Sequence, residues 1–132
     1  MHEKAGTMTD TKLRKILSRV DKPSRYCGGE LNTPKMKDDA ELDFLLCFPD
    51  IYEVAMSNLG IKILYGILNN RPDTNCESAY APWSDMAAVL REESEPLFSS
   101  ETRRPMNEFD IIGFSMQYEL SYTGMLYMLE LG

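Results

Sequence analysis

Histidine is all but missing: His2 is the only one among 132 residues. A Ser/His/Asp triad or a histidine-bearing zinc site would have to rest on that one imidazole. His2 itself lies in a polar tail and is not expected to act as a base or a ligand. Cysteine is scarce too. Cys27, Cys47 and Cys76 are odd in number and 20 and 29 residues apart, which matches neither a disulfide framework nor a CxxC metal knuckle. A reducing cytoplasm is the expected compartment. No uncharged apolar run approaches the roughly 18 residues of a membrane span. The charged first twenty residues, Glu3 to Arg19 among them, argue against a signal peptide. Phosphate loops of GxGxxG or GxxxxGK[ST] form are absent, which leaves a bound dinucleotide or nucleoside triphosphate without support. Positive charge is also in deficit, 14 Lys+Arg against 21 Asp+Glu. The deficit is local: residues 1–40 hold nine basic and six acidic side chains, residues 41–132 five basic and fifteen acidic. The body of the molecule should therefore repel nucleic acid.

What is present is globular. A chain with 43% hydrophobic and 27% charged residues at this length supports one ordinary domain. Residues 1–20 read as a frayed tail entering a short helix, Thr11 to Val20, with Leu13, Ile16, Leu17 and Val20 at helical spacing. Pro23 stops it, and the loop from Lys22 to Asn32 follows with paired Gly28 and Gly29. Leu42 to Phe48 is a nearly unbroken apolar run ended by Pro49, the pattern of a strand buried on both faces of a parallel sheet.

Ser57-Asn58 can cap a helix to about Asn69 whose broad apolar face would comprise Ile61, Ile63, Leu64, Ile67 and Leu68. Thr74 to Ala81 reads as a second strand. A second core helix follows, capped by Ser84 or Asp85. Leu97-Phe98-Ser99 reads as a short edge strand, Phe109 to Met116 as another buried strand, and Tyr118 to Leu131 as the last helix.

Strand and helix alternating three times is the α/β doubly wound pattern, flavodoxin-like or Rossmann-like, with a mainly parallel sheet in the order 2-1-3. Residues 1–40 form the leading tail, helix and Gly-Gly loop, and residues 41–132 a partial α/β domain. Such a sheet has about five strands. Two are not seen before Gly132, so the chain is expected to be truncated, with its third strand exposing an unpaired edge. Ligands in this architecture bind beyond the carboxyl ends of the strands. Here those ends are rich in polar and aromatic groups: Asp50, Tyr52 and Glu53 after the first strand, Trp83 after the second, and Ser115, Gln117, Tyr118 and Glu119 after the third.

The stretch Phe48-Pro-Asp-Ile-Tyr-Glu-Val-Ala-Met-Ser-Asn-Leu-Gly-Ile-Lys-Ile-Leu-Tyr65 resembles the amino-terminal domain of cobalamin-binding-type radical S-adenosylmethionine (SAM) proteins. Lys22 to Asn32, Ala81 to Met86 and Phe109 to Thr123 extend the resemblance in the family's order over most of residues 12–132. It implies a larger protein whose barrel holds a four-iron, four-sulfur cluster on a CxxxCxxC loop and cleaves SAM; this sequence contains no such loop. It also implies a cobalamin site. The fold's DxHxxG signature corresponds to Asp50-Ile-Tyr52-Glu-Val-Ala55, with Tyr in place of the cobalt-ligating His and Ala in place of Gly. A phenol is a poor cobalt ligand at neutral pH, so Tyr52 is expected to pack beneath a corrin or to staple a helix entrance.

Ser115 resembles the serine that holds the nucleotide tail. Glu53, Ser57, Asn58, Gly60, Gln117 and Tyr118 complete the candidate cofactor-binding set, with helix capping and core packing as the plainer alternative. The Gly28-Gly29 loop reads as a linker or as an anion cradle beside Arg25.

The sequence therefore leads to a cobalamin-binding-like module that positions cobalamin or a substrate against a radical SAM barrel in cis or in trans. No catalytic or metal residue is assigned to this chain. The alternatives are a non-catalytic module that pairs through its open strand edge and a stand-alone binder of another small ligand.

Overall fold

The computed structural model describes residues 6–132. His2 and the first part of the expected tail lie outside them. Eight α-helices and β-strands follow in order, with short 3-10 helices at Pro23–Arg25 and Met106–Glu108: α1 Asp10–Leu17, β1 Leu42–Phe48, α2 Tyr52–Met56, α3 Leu59–Asn69, β2 Thr74–Tyr80, α4 Ser84–Glu93, β3 Ile111–Phe114 and α5 Ser121–Leu131. The three strands form one parallel sheet in the order β2-β1-β3. β1 is central because its side chains are apolar in either direction, so it can be covered by helices on both faces. Leu45 and Cys47 enter one core with Met86, Leu90, Met106 and Met128 beneath α1, α4 and α5. Leu46 and Phe48 enter a second, smaller core with Ala55, Ile61 and Cys76 beneath α2 and α3. Met8, Leu13, Ile16 and Val20 are buried in the larger core, which fastens the α1 segment to the sheet.

The sheet order and parallel sense are those expected; several details differ. α1 ends at Leu17, yet Val20 is still buried beyond it. Pro49 and Ile51 are followed by an extra short helix, α2, before Asn58 caps α3 by accepting the Ile61 N–H at 3.0 Å. α3 buries a narrower face than its sequence suggests: Ile61 is buried and Tyr65 and Leu68 pack beside it, whereas Ile63, Leu64 and Ile67 stay exposed. Neither Ser84 nor Asp85 caps α4. Trp83 holds the cap position without a side-chain bond, and the Asp85 carboxylate instead accepts the Met86 and Asp21 N–H groups. The edge strand at Leu97–Ser99 reduces to one antiparallel bridge between Phe98 and Pro105. β3 is four residues long, shorter than the expected run, and α5 begins at Ser121.

β2 is the least apolar strand and the most buried. Its Glu77 is 2% exposed, opposite Leu45 on the face of the larger core. One carboxylate oxygen accepts from Ser99 Oγ at 2.7 Å, Thr102 N at 3.0 Å and Thr102 Oγ1 at 2.6 Å. The other lies 3.9 Å from the Arg104 guanidinium, which also approaches Asp43 at 3.3 Å and lies over the Phe109 ring. A buried carboxylate is tolerated only when it is paired and bonded in this way. The network pins the irregular 97–109 segment across the sheet.

Candidate functional site

β1 and β3 are neighbours whose following connections leave in opposite directions, so a crevice opens beyond their carboxyl ends. A cleft of about 330 Å3 occupies that position, lined by Phe48, Pro49, Asp50, Ser57, Asn58, Gln117 and Tyr118 among others. Five of the nine candidate residues thus meet at one place: Asp50, Ser57, Asn58, Gln117 and Tyr118. Much of their polarity is already engaged. Asp50 Oδ1 accepts the Ile51 N–H at 2.7 Å at the entrance of α2, Ser57 Oγ donates to the Glu53 carbonyl at 3.2 Å, and Asn58 is the α3 cap. Ser115 stands just behind, accepting from Gln117 Nε2 at 2.9 Å. Gly60 lies in the first turn of α3, where a Cβ would press on the Asn58 side chain. This is a polar rim whose donors and acceptors largely serve backbone.

Tyr52 and Glu53 turn away from the cleft. Glu53 takes both of its bonds from Arg25 Nε, at 2.8 and 3.0 Å, and the guanidinium holds its carboxyl below the usual range. Arg25 itself lies over the Trp83 ring. Tyr52 donates to Glu30 and meets Tyr80 edge to face, with ring centroids 5.6 Å apart. The bond to Glu30 and burial push the Tyr52 phenol up to about 12. The 22–34 loop is therefore no mere spacer. It lies along α2, with Gly28 and Gly29 at φ +68° and +73°, in backbone open to glycine and costly for other residues.

Beneath that loop lies a larger cavity, about 480 Å3, between α2, α3 and the carboxyl end of β2. Tyr52, Tyr65, Tyr80, Glu30 and Glu101 face it. Tyr65, Tyr80 and Glu101 escaped the sequence reading. Both tyrosines sit inside regular elements, and Glu101 lies in a polar stretch without periodicity. Only the position of Glu30 in the singled-out loop hinted at this place.

The residues of the β1–β3 cleft do not fit cobalamin. Its lining offers neither imidazole nor thiolate, and Tyr52, the residue at the axial position of the signature, faces the other cavity. α5 also narrows the crevice on one side. Gly124 packs so tightly on Pro49 that an added Cβ would overlap the Pro49 carbonyl.

Tyr118 and Tyr122 are exposed, and Tyr127 is half-buried with its hydroxyl donating to the Pro82 carbonyl at 3.1 Å. Cys47 and Cys76 are buried, with burial pushing both thiols up to about 12, and Cys27 is exposed in the loop. No group of three or more potential metal ligands occurs among the described residues.

A family model described as radical SAM proteins, N-terminal, matches residues 60–132, just over half of the chain. That span takes in nearly all of α3 and everything from β2 to α5. No curated protein and no solved structure matches the chain.

Proposed function

Because the chain belongs to the family of radical SAM N-terminal domains, we propose that its β3–α5 side is the surface on which the barrel of a radical SAM protein seats. Membership implies SAM and an iron–sulfur cluster in the full-length protein. The three cysteines of this chain do not converge to hold such a cluster, so its contribution is structural: it positions and covers. Cobalamin has no part in this reading, because the β1–β3 cleft does not suit it.

One observation carries the assignment. The outer face of α5 and the loop before it present exposed apolar side chains, and the outer edge of β3 beside them is unpaired among the described residues. Leu120 is 73% exposed and Leu126 62%, Tyr118, Tyr122 and Leu129 are exposed with them, and Ile111 is exposed at the start of β3, in register with Phe44 on the other face of the sheet. β3 is hydrogen-bonded only on its β1 side. Clustered apolar side chains beside open strand hydrogen bonds mark a contact surface. The polar cleft borders it through Tyr118, so a substrate bound between module and barrel would meet that rim.

Photo-crosslinking tests the seat. A benzophenone side chain in place of Leu126, with the radical SAM barrel supplied in cis or in trans, should crosslink to the barrel; the same group in place of Ile63, on the outer face of α3, should not. Crosslinks from Leu126 to a second copy of the chain would favour pairing through the open edge instead. Barrel crosslinks from Ile63 alone would move the seat to the opposite face and overturn the proposal.

A further inference from the structure

The 480 Å3 cavity under the 24–34 loop lies on the α3 side of the sheet, within the size range of small-molecule sites. Its polar lining is one-sided. Tyr80 donates to Ser78 Oγ at 3.2 Å, Ser78 Oγ donates to Glu101 Oε1 at 2.6 Å, and Tyr65 donates to the same oxygen at 3.1 Å. The Ser78 N–H donates to Glu101 Oε2 at 2.8 Å, and Tyr52 donates to Glu30. Every tyrosine proton on this wall is thus committed to an oxygen of the protein. What this wall leaves toward the cavity is acceptor capacity, phenol lone pairs and the unused lone pairs of two carboxylates, while the donors of Ser24, Asn32 and Lys62 belong to the rest of the lining. The Arg25 charge is taken up by Glu53, which leaves Lys62 as the one ammonium of the lining without a partner among the described residues. Between these groups lie aromatic faces and the apolar side chains of Leu46, Met56 and Ile61.

A molecule complementary to the tyrosine and carboxylate wall must bring its own donors and a flat apolar body. We infer that this cavity binds a small aromatic amine, its ring among Tyr52, Tyr65 and Tyr80 and its cationic amino group directed to Glu30 and Glu101. Ammonium–carboxylate hydrogen bonds are among the strong ones, and a cation near phenol rings gains further. Burial holds the Glu101 carboxyl above its ordinary range, so a cation beside it offsets an existing cost. This site is independent of where a barrel seats, because its walls are all within the chain.

The experiment compares three probes of one size on the intact chain by ligand-observed NMR: tyramine, 4-ethylphenol and 3-(4-hydroxyphenyl)propionate. Tyramine should bind at least about tenfold more tightly than 4-ethylphenol, with the propionate weakest. Glu101→Gln should weaken tyramine by about tenfold. Gly66 lines the cavity with open space at its Cβ position, so Gly66→Leu should fill it and abolish binding. The helix loses a glycine in the process, and the variant should keep its fold by circular dichroism. Preference for the propionate, equal binding of 4-ethylphenol, full affinity in Gly66→Leu, or no binding of any probe at about 10 mM would each overturn the inference.

Discussion

The two edges of the sheet solve the same problem in opposite ways. β2 is polar, with Thr74, Asn75, Glu77 and Ser78 in its seven residues, yet all but its last residue are buried. β3 is Ile-Ile-Gly-Phe and remains half-exposed. The difference lies in who supplies the missing strand. Along the outer edge of β2, the Asn69 amide accepts from Cys76 N at 2.9 Å and donates to Cys76 O at 3.0 Å, as a neighbouring strand would. Lys37 Nζ donates to the Thr74 carbonyl, Glu101 accepts the Ser78 N–H, and the Ser100 N–H donates to the Ser78 carbonyl. Side chains and one loop thus seal that edge. Nothing comparable lies along β3 among the described residues, and its apolar side chains wait at the surface. Composition alone predicts the reverse ranking of burial; edge hydrogen bonding decides the actual one.

The sharpest way to break this contrast is Asn69→Leu. It leaves a buried N–H and a buried carbonyl of Cys76 unpaired, each worth roughly 1–3 kcal/mol, so urea denaturation should show a loss of about 2–4 kcal/mol. A loss below about 0.5 kcal/mol would mean that water or a shifted strand replaces the amide easily.

A smaller effect, and one tuned by pH, is expected at Glu101. Burial raises its carboxyl above the ordinary value of 4.5. The folded chain therefore binds this proton more tightly than the unfolded one. Its favourable contribution is complete below pH 4.5 and is lost as pH rises through the higher folded value. Glu101→Gln cannot ionise and should remove that part of the decline. Difference curves of wild type minus variant, from denaturation at successive pH values, should fall through the window; a flat or rising difference would contradict the burial argument.

The smallest effect on stability belongs to the other edge. Ile111 is 44% exposed, so Ile111→Lys should change stability by no more than about 0.5 kcal/mol. It places a charge on the bare strand, however, and should weaken contact with a barrel or a second copy, read by light scattering or crosslinking yield. A large stability loss instead would show that β3 is not an edge awaiting a partner.

Much of the fold was legible locally. Leu42 to Phe48 announces a central parallel strand because only a sheet covered on both faces buries so continuous an apolar run. Asn58 announces α3 because its side chain serves a donor three residues on. The crossover rule then places β3 beside β1, and five of the nine candidate residues gather at the resulting crevice. Tyr52 and Glu53 were misplaced because their direction depends on Glu30 and Arg25, more than twenty residues upstream. Likewise α3 and α5 show apolar residues around much of their circumference, and periodicity does not tell which side the chain itself will cover.

By itself, then, the sequence determined the α/β class, the strand order and the central place of β1, since these follow from residue type and short-range spacing. Tertiary structure alone decided that Glu77 could be buried, that one edge would be sealed and the other left bare, and that three tyrosines and two carboxylates would enclose a cavity. Each of these rests on hydrogen bonds between residues far apart in the chain, such as Glu77 with Thr102 or Tyr65 with Glu101, whose worth exists only once burial has excluded water.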